Sequence, residues 1–158
     1  IGLDSQFDED IRWAIADRCG YLMFEKTTLY PDAISTLNKL RHNKVRLALV
    51  TNGTSNAQRK KIKKFDLENH FDHIQIEGEA GIGKPELDAY KKALTALDVN
   101  ASETWMVGDN LEWEVIAPQK LGIFSIWRDP HGDGTLPKNT TAKPDMIITK
   151  LSELVTGY

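Results

Sequence analysis

The feature that most constrains this chain is a change of hydrophobic period that recurs along it. The β-branched and aliphatic run at 45–50 ends in Thr51-Asn52-Gly53, and a polar, basic helical stretch follows at 55–64, with Ser55 read as its N-cap. Further strand and helix pairs are expected at 74–76 with 86–97, and at 105–107 with 111–120. A strand at 124–127, another at 146–148 and a short helix at 151–155 close the pattern. Before it stand a helix opened by Pro31, with Ile34, Leu37 and Leu40 on one face, and an amphipathic helix over 7–24. The polar stretch 129–144 reads as a surface loop. Strands and helices alternating at this spacing predict an α/β fold, a doubly wound parallel sheet, whose ligands sit beyond the carboxyl ends of the strands. Functional residues are therefore sought on the turns that follow the strands.

Composition narrows the partners. At 158 residues, 41% apolar and 27% charged, the chain is one globular domain's worth of sequence. A net charge of −3 argues against a nucleic-acid footprint over the whole surface. No apolar run approaches the roughly 18 residues of a membrane span, and the single Cys19 closes no intrachain disulfide. A reducing, cytoplasmic setting with neither nucleic acid nor membrane as partner is the expectation. The first residue is Ile1 and no leader pattern follows it, so the chain reads as beginning partway through something longer.

Three turns carry distinct chemistry: Thr51-Asn52-Gly53, the loop from Glu77 to Lys84, and Gly108-Asp109-Asn110. They offer a hydroxyl with backbone N–H groups, an ammonium and a carboxylate, which suits a phosphoryl group and a divalent cation. Singly each has a plainer reading: Thr51 as a helix cap, Lys84 as a solvated surface charge, Asp109 as an N-cap. Their presence on successive strand ends gives the set its weight. Other patterns are weaker. Gly78 to Lys84 matches seven positions of a phosphate-binding P-loop, but Pro85 stands where the Mg²⁺-binding Ser or Thr belongs. Gly53-Thr54-Ser55-Asn56-Ala57 suggests a serine-hydrolase elbow, with Asp109 and His131 downstream, yet Ala57 replaces the last glycine. Arg59, Lys60, Lys61, Lys63 and Lys64 lack the interleaved aromatic residues of a nucleic-acid surface. His70 and His73 have no partners at zinc-ligand spacing. A non-catalytic phosphate-binding or regulatory module and, behind it, a serine esterase using Ser55 stand as alternatives to an enzyme acting on phosphate esters.

Taken together, Leu49-Val50-Thr51-Asn52-Gly53, Gly83-Lys84-Pro85-Glu86 and Met106-Val107-Gly108-Asp109-Asn110-Leu111-Glu112-Trp113-Glu114 resemble the second, third and fourth motifs of haloacid dehalogenase-like hydrolases. The resemblance implies a Rossmann-like core in which Thr51 and the backbone of Asn52 and Gly53 hold the phosphoryl group. Lys84 would neutralise that group, and Asp109 would ligate Mg²⁺. Glu114 stands where the family has a second Asp, with Glu112 as its competitor for the role. The Gly108-Asp109 form of the fourth motif implies a phosphatase of a small phosphorylated metabolite. The family's nucleophile lies in an Asp-x-Asp-x-Thr signature after the first strand, upstream of these motifs. Asp8-Glu9-Asp10 and Gly132-Asp133-Gly134-Thr135-Leu136 each match it only in part. The resemblance thus divides the chain into the end of a helical cap at 1–27 and a core at 28–158 without its first strand. An upstream segment or a second chain is then needed to complete the sheet and to supply the nucleophilic Asp.

Overall fold

The computed structural model describes residues 11, 18 and 24–156. The helix expected over 7–24 therefore falls outside the described residues apart from 11, 18 and 24, which are helical. From there the chain runs α1 (Ala33–His42), β1 (Ala48–Thr51), α2 (Ser55–Lys64), β2 (His73–Ile76), α3 (Glu77–Ala80), α4 (Leu87–Leu97) and β3 (Trp105–Gly108). A π-helix (Glu112–Ile116), α5 (Ala117–Gln119), β4 (Phe124–Arg128), β5 (Met146–Ile148) and a closing 3₁₀ helix (Leu151–Val155) follow, and short 3₁₀ helices at Glu68–His70 and Ala101–Glu103 lead into β2 and β3. No helix among the described residues is long and apolar enough to cross a membrane.

All strand pairs are parallel, as the alternation predicted, but they form two sheets. β1 pairs with β2, with Thr51 opposite Ile76, while β3, β4 and β5 pair in that order, with Gly108 opposite Trp127. Among the described residues β1 and β3 each have one unpaired edge, and the two border an opening of about 500 Å³ lined by Ala48, Val50, Trp105 and Met106, with Tyr90 and Leu94 of α4 behind. β4 is buried on both faces, which accounts for the continuous apolar reading of Ile126 and Trp127. On one side Ile126 and Ile148 meet Leu154 of the 3₁₀ helix; on the other, Trp127 packs with Val115 and Ala142, while Tyr90, Ala117 and Ile123 form a further cluster.

Four local expectations change. The first strand starts at Ala48 and not Val45. Lys44 takes a left-handed φ of 60° and Leu47 is tied by its N–H to the Asp72 carboxylate at 2.8 Å, so residues 45–47 serve a turn instead of a ladder. The N-cap of α2 is Thr54, whose Oγ1 accepts from the Ala57 N–H, and Ser55 is the first helical residue. The helix expected at 111–120 opens as a π-helix, with the Ala117 N–H bonded five residues back to Glu112. Pro118 has no N–H to give to the Glu114 carbonyl, so the α-helical ladder cannot run through this point. In the loop after β4, Asp129 is fully buried. Its oxygens accept from the N–H groups of His131 at 2.8 Å and Gly134 at 2.7 Å, and the loop folds back to bury Ala142 beside Val115 and Trp127.

Part of the charge of the basic helix α2 is engaged by bonds to the rest of the molecule at its surface. Arg59 makes a two-pronged ion pair with Glu79 at 2.8 and 2.7 Å. The Lys64 ammonium donates to the carbonyls of Phe24, Glu25 and Thr27 at 2.8, 3.1 and 3.2 Å, capping the end of the helical turn at 24–26.

Candidate active site

Beyond the carboxyl ends of β1 and β3 lies a polar pocket of about 340 Å³ lined by Thr51, Asn52, Lys84, Asp109, Glu114 and Trp113. The first five are residues singled out from the sequence, and they arrive from three separate turns. Gly53 is beside them, but its N–H donates to Glu77 Oε2 at 2.8 Å and is spent there. Its φ of +113° is one that residues with a side chain rarely adopt. Glu112 is exposed and does not line the pocket, so Glu114 is the acid that occupies it.

Lys84 is gripped at both ends. The Asn52 side-chain amide donates to the Lys84 carbonyl at 2.6 Å and accepts from the Lys84 N–H at 2.9 Å, fixing the main chain. The ammonium donates to Glu114 Oε1 at 2.6 Å, with the two side chains only 10% and 5% exposed. The second oxygen of Glu114 accepts the Asn110 N–H at 2.9 Å. Burial pushes the Glu114 carboxyl up from its ordinary range, while Lys84 and the Asn110 N–H pull it back. Room for this longer acid comes from Gly108: a Cβ there would lie 2.7 Å from Glu114 Cδ.

Asp109 is in the opposite state. It is exposed, and among the described residues nothing donates to its carboxylate. The capping role belongs to Asn110, whose Oδ1 accepts from the N–H groups of Glu112 and Trp113 at 3.0 and 3.1 Å. Trp127 holds the Asp109 carbonyl through its indole N–H at 2.8 Å. The main chain is thus fixed while the carboxylate is left free. Among the described residues there is no group of three or more His, Cys, Asp or Glu that could hold a metal. Mg²⁺ is commonly bound by one or two carboxylates with water and substrate oxygens, so a single free carboxylate in a polar pocket fits it. Glu114, with both oxygens engaged, does not offer a second.

Thr51 makes only a 3.4 Å contact from its hydroxyl to the Asn52 carbonyl, too long to hold it firmly, and caps no helix. Ser55 donates to Glu79 at 2.6 Å and has no histidine as partner, contrary to what an esterase nucleophile needs. In the P-loop-like segment the N–H groups of Gly78, Gly81 and Lys84 go to Gly53, Glu77 and Asn52, so they form no phosphate cradle. Residues not foreseen from sequence are Glu77, Gln58, which donates to the Asn52 carbonyl at 2.8 Å, and the side chain of Asn52 itself. The polar identity of Asn52 and Gln58 around a predicted turn was the available signal.

Residues 5–128 match the family described as Haloacid dehalogenase-like hydrolase. The chain is 37% identical over 126 residues to a phosphoserine phosphatase of Thermus thermophilus, covering 80% of this chain and 49% of that protein. It is 29% identical over 146 residues to a glyceraldehyde 3-phosphate phosphatase of Pyrococcus furiosus, covering 91% and 61%. It thus spans about half to three fifths of these relatives' lengths. Among solved structures, the HAD-hydrolase YfnB of Bacillus subtilis bound to magnesium superposes with a TM-score of 0.74 at 25% identity, over 85% of this chain and 58% of that one.

Proposed function

Because the chain belongs to the haloacid dehalogenase-like hydrolases, we propose that it carries the phosphate- and metal-binding side of a phosphatase acting on a small phosphorylated metabolite. The observation that carries this reading is the meeting of Thr51, Asn52, Lys84 and an uncommitted Asp109 in one polar pocket at the strand ends. The names of the relatives, both phosphatases of small metabolites, point the same way.

In this reading the phosphoryl group lies between the Thr51 hydroxyl and the Lys84 ammonium. The hydroxyl and the Asn52 N–H donate to its oxygens. Lys84 supplies positive charge where negative charge gathers during transfer, and Asn52 keeps it from drifting by holding its main chain. Asp109 would hold Mg²⁺, which when bound neutralises phosphoryl oxygens and orients them for in-line attack. None of the pocket's own groups is the nucleophile: Thr51 has no base within bonding distance, and Glu114 is engaged on both oxygens. We assign that part to an Asp on a strand seated between β1 and β3, provided by an upstream segment or a second chain. The support is the pair of free strand edges and the apolar opening between them. Residues 1–27 are then the end of a helical cap and 28–158 the core.

Hydrolysis of p-nitrophenyl phosphate by the intact protein, with and without Mg²⁺, tests the reading. Turnover that needs Mg²⁺ and falls by roughly 10²–10³ in Thr51→Ala and Lys84→Ala is the expected result. A protein that binds inorganic phosphate without hydrolysing any monoester would instead be a phosphate-binding module.

A further inference from the structure

Glu77 and Gln58 are half-buried beside the polar pocket without lining it, and both reach the same peptide group. The Asn52 carbonyl accepts from Gln58 Nε2 at 2.8 Å, and the N–H of that same peptide, which belongs to Gly53, donates to Glu77 Oε2 at 2.8 Å. The two groups of a planar trans peptide point in opposite directions, so a partner on each side stops the plane from turning. The next carbonyl, that of Gly53, accepts from the Gly78 N–H at 3.0 Å. Strand register brings this about: with Thr51 opposite Ile76, Asn52-Gly53 leaves β1 alongside Glu77-Gly78 leaving β2. Two positions without side chains allow the close approach. A Cβ on Gly78 would lie 3.0 Å from the Gly53 oxygen, and one on Gly83 would lie 2.8 Å from Glu77 Cδ and 2.9 Å from Asn52 Oδ1. The pinned peptide reaches the pocket through Asn52, whose side chain holds the Lys84 main chain at 2.6 and 2.9 Å. A carboxylate near a phosphate is electrostatically unfavourable, so what the site gains from Glu77 is an acceptor oxygen and not its charge.

We infer that Glu77 and Gln58 are positioning residues for phosphate binding, which fix the Asn52–Gly53 peptide from its two sides and so set where Thr51, Asn52 and Lys84 stand around the phosphoryl group. The inference rests on the phosphate-site reading above and adds to it the groups that preorganise the site. Neither side chain touches the ligand. Turning of the peptide would carry Asn52 with it, moving a phosphate donor and the grip on Lys84 together.

The test is calorimetric titration of the intact protein with inorganic phosphate, with thermal melting of each variant to establish that it is folded. Glu77→Ala and Gln58→Ala should each weaken phosphate binding about tenfold, whereas Glu77→Gln, which keeps the acceptor without the charge, should stay within about twofold of the wild type. Because both side chains act on one peptide, the double alanine variant should bind within about twofold of the weaker single one. Ser55→Ala serves as the control: it frees a hydroxyl bonded to Glu79 beside the same turn and should leave phosphate affinity unchanged. The inference is overturned if either alanine variant binds phosphate as tightly as the wild type, or if the two losses multiply in the double variant. It is also overturned if Glu77→Gln binds as weakly as Glu77→Ala, or if Ser55→Ala loses as much as they do, because general loosening would then explain the effect. If Glu77→Ala does not fold, Gln58→Ala and Glu77→Gln decide the matter: wild-type affinity in the first or a tenfold loss in the second overturns it. A wild type that binds no inorganic phosphate refutes the phosphate site and this role with it, whereas normal wild-type binding with no loss in the variants refutes the role alone.

Discussion

Replacing Gly108 by Ala tests how the pocket is built. The added methyl would stand 2.7 Å from Glu114 Cδ and 3.1 Å from Glu114 Cβ, well inside ordinary contact, so the Glu114 side chain must leave its place. Leaving breaks the 2.6 Å pair with Lys84 and the 2.9 Å bond from the Asn110 N–H, and it strands an ammonium whose side chain is only 10% exposed. Breaking a buried pair by removing one partner costs about 3–5 kcal/mol. For a chain of this size that corresponds to a fall in melting temperature of very roughly 6–20 °C. Glu114→Ala should cost a similar about 3–5 kcal/mol, since it leaves the same Lys84 unpaired. Adding Gly108→Ala to Glu114→Ala should then change stability by no more than about 1 kcal/mol, because Cγ and Cδ are gone, only the 3.1 Å contact to Cβ remains, and Ala is favoured over Gly within a strand. The coupling in this double-mutant cycle is therefore about 2 kcal/mol or more. Chemical denaturation of the four proteins measures it. If Gly108→Ala costs under about 1 kcal/mol in the wild type, or costs the same in both backgrounds, Gly108 is not the residue that seats Glu114.

Three other expectations follow from the site and its surroundings. Asp109→Asn should abolish Mg²⁺ binding in calorimetry while Glu114→Gln leaves it largely intact, because of the pocket's two acids Asp109 is the one with a free carboxylate. Asn52→Ala removes both bonds to the Lys84 main chain, and a loss of about 1–3 kcal/mol in stability together with weaker inorganic phosphate binding should be seen. Glu79 is held down to about 2 by its hydrogen bonds from Arg59 and then Ser55. A carboxyl lowered in the folded state stabilises fully above its unfolded range, near about 4.3, and loses that contribution as pH falls towards the folded value. Glu79→Gln should therefore flatten the acid side of the stability profile below about pH 4.5 and leave its shape near neutrality unchanged.

Much of the architecture is legible from local pattern because parallel strands buried on both faces read as unbroken apolar runs. Ile126 and Trp127 mark β4 in this way, and Ile76 marks the end of β2. The site is legible at Thr51, Lys84 and Asp109 for a related reason: each polar residue follows a strand or the loop a strand feeds. What escapes local pattern is what depends on distant partners. Asn52 meets Lys84 across 32 residues of chain and Gly53 meets Glu77 across 24, so no spacing rule announces either bond. Thr54 and Ser55 are adjacent and both able to cap; Thr54 does so while the Ser55 hydroxyl goes to Glu79, a partner 24 residues away. The π-helix is hidden because Glu112 to Ile116 carries an ordinary helical pattern, and its geometry comes from hydrogen bonds that Pro118 cannot complete. Asp129 lies in a polar stretch that looks solvated until its carboxylate is seen collecting backbone N–H groups.

Lys84 lies where the two sheets approach each other. Asn52, which holds its main chain, extends from β1, and Glu114, which holds its ammonium, follows β3. Lys84 is therefore one tie between the halves of the molecule, at the same place where a phosphate would compete for its charge. A ligand that draws the ammonium away from Glu114 loosens that tie unless it also touches the β3 side, as a phosphate bridged to Asp109 would. Occupancy of the pocket and the relative position of the two sheets are thus mechanically linked, and amide hydrogen exchange at the ends of β1 and β3 should change together when phosphate binds.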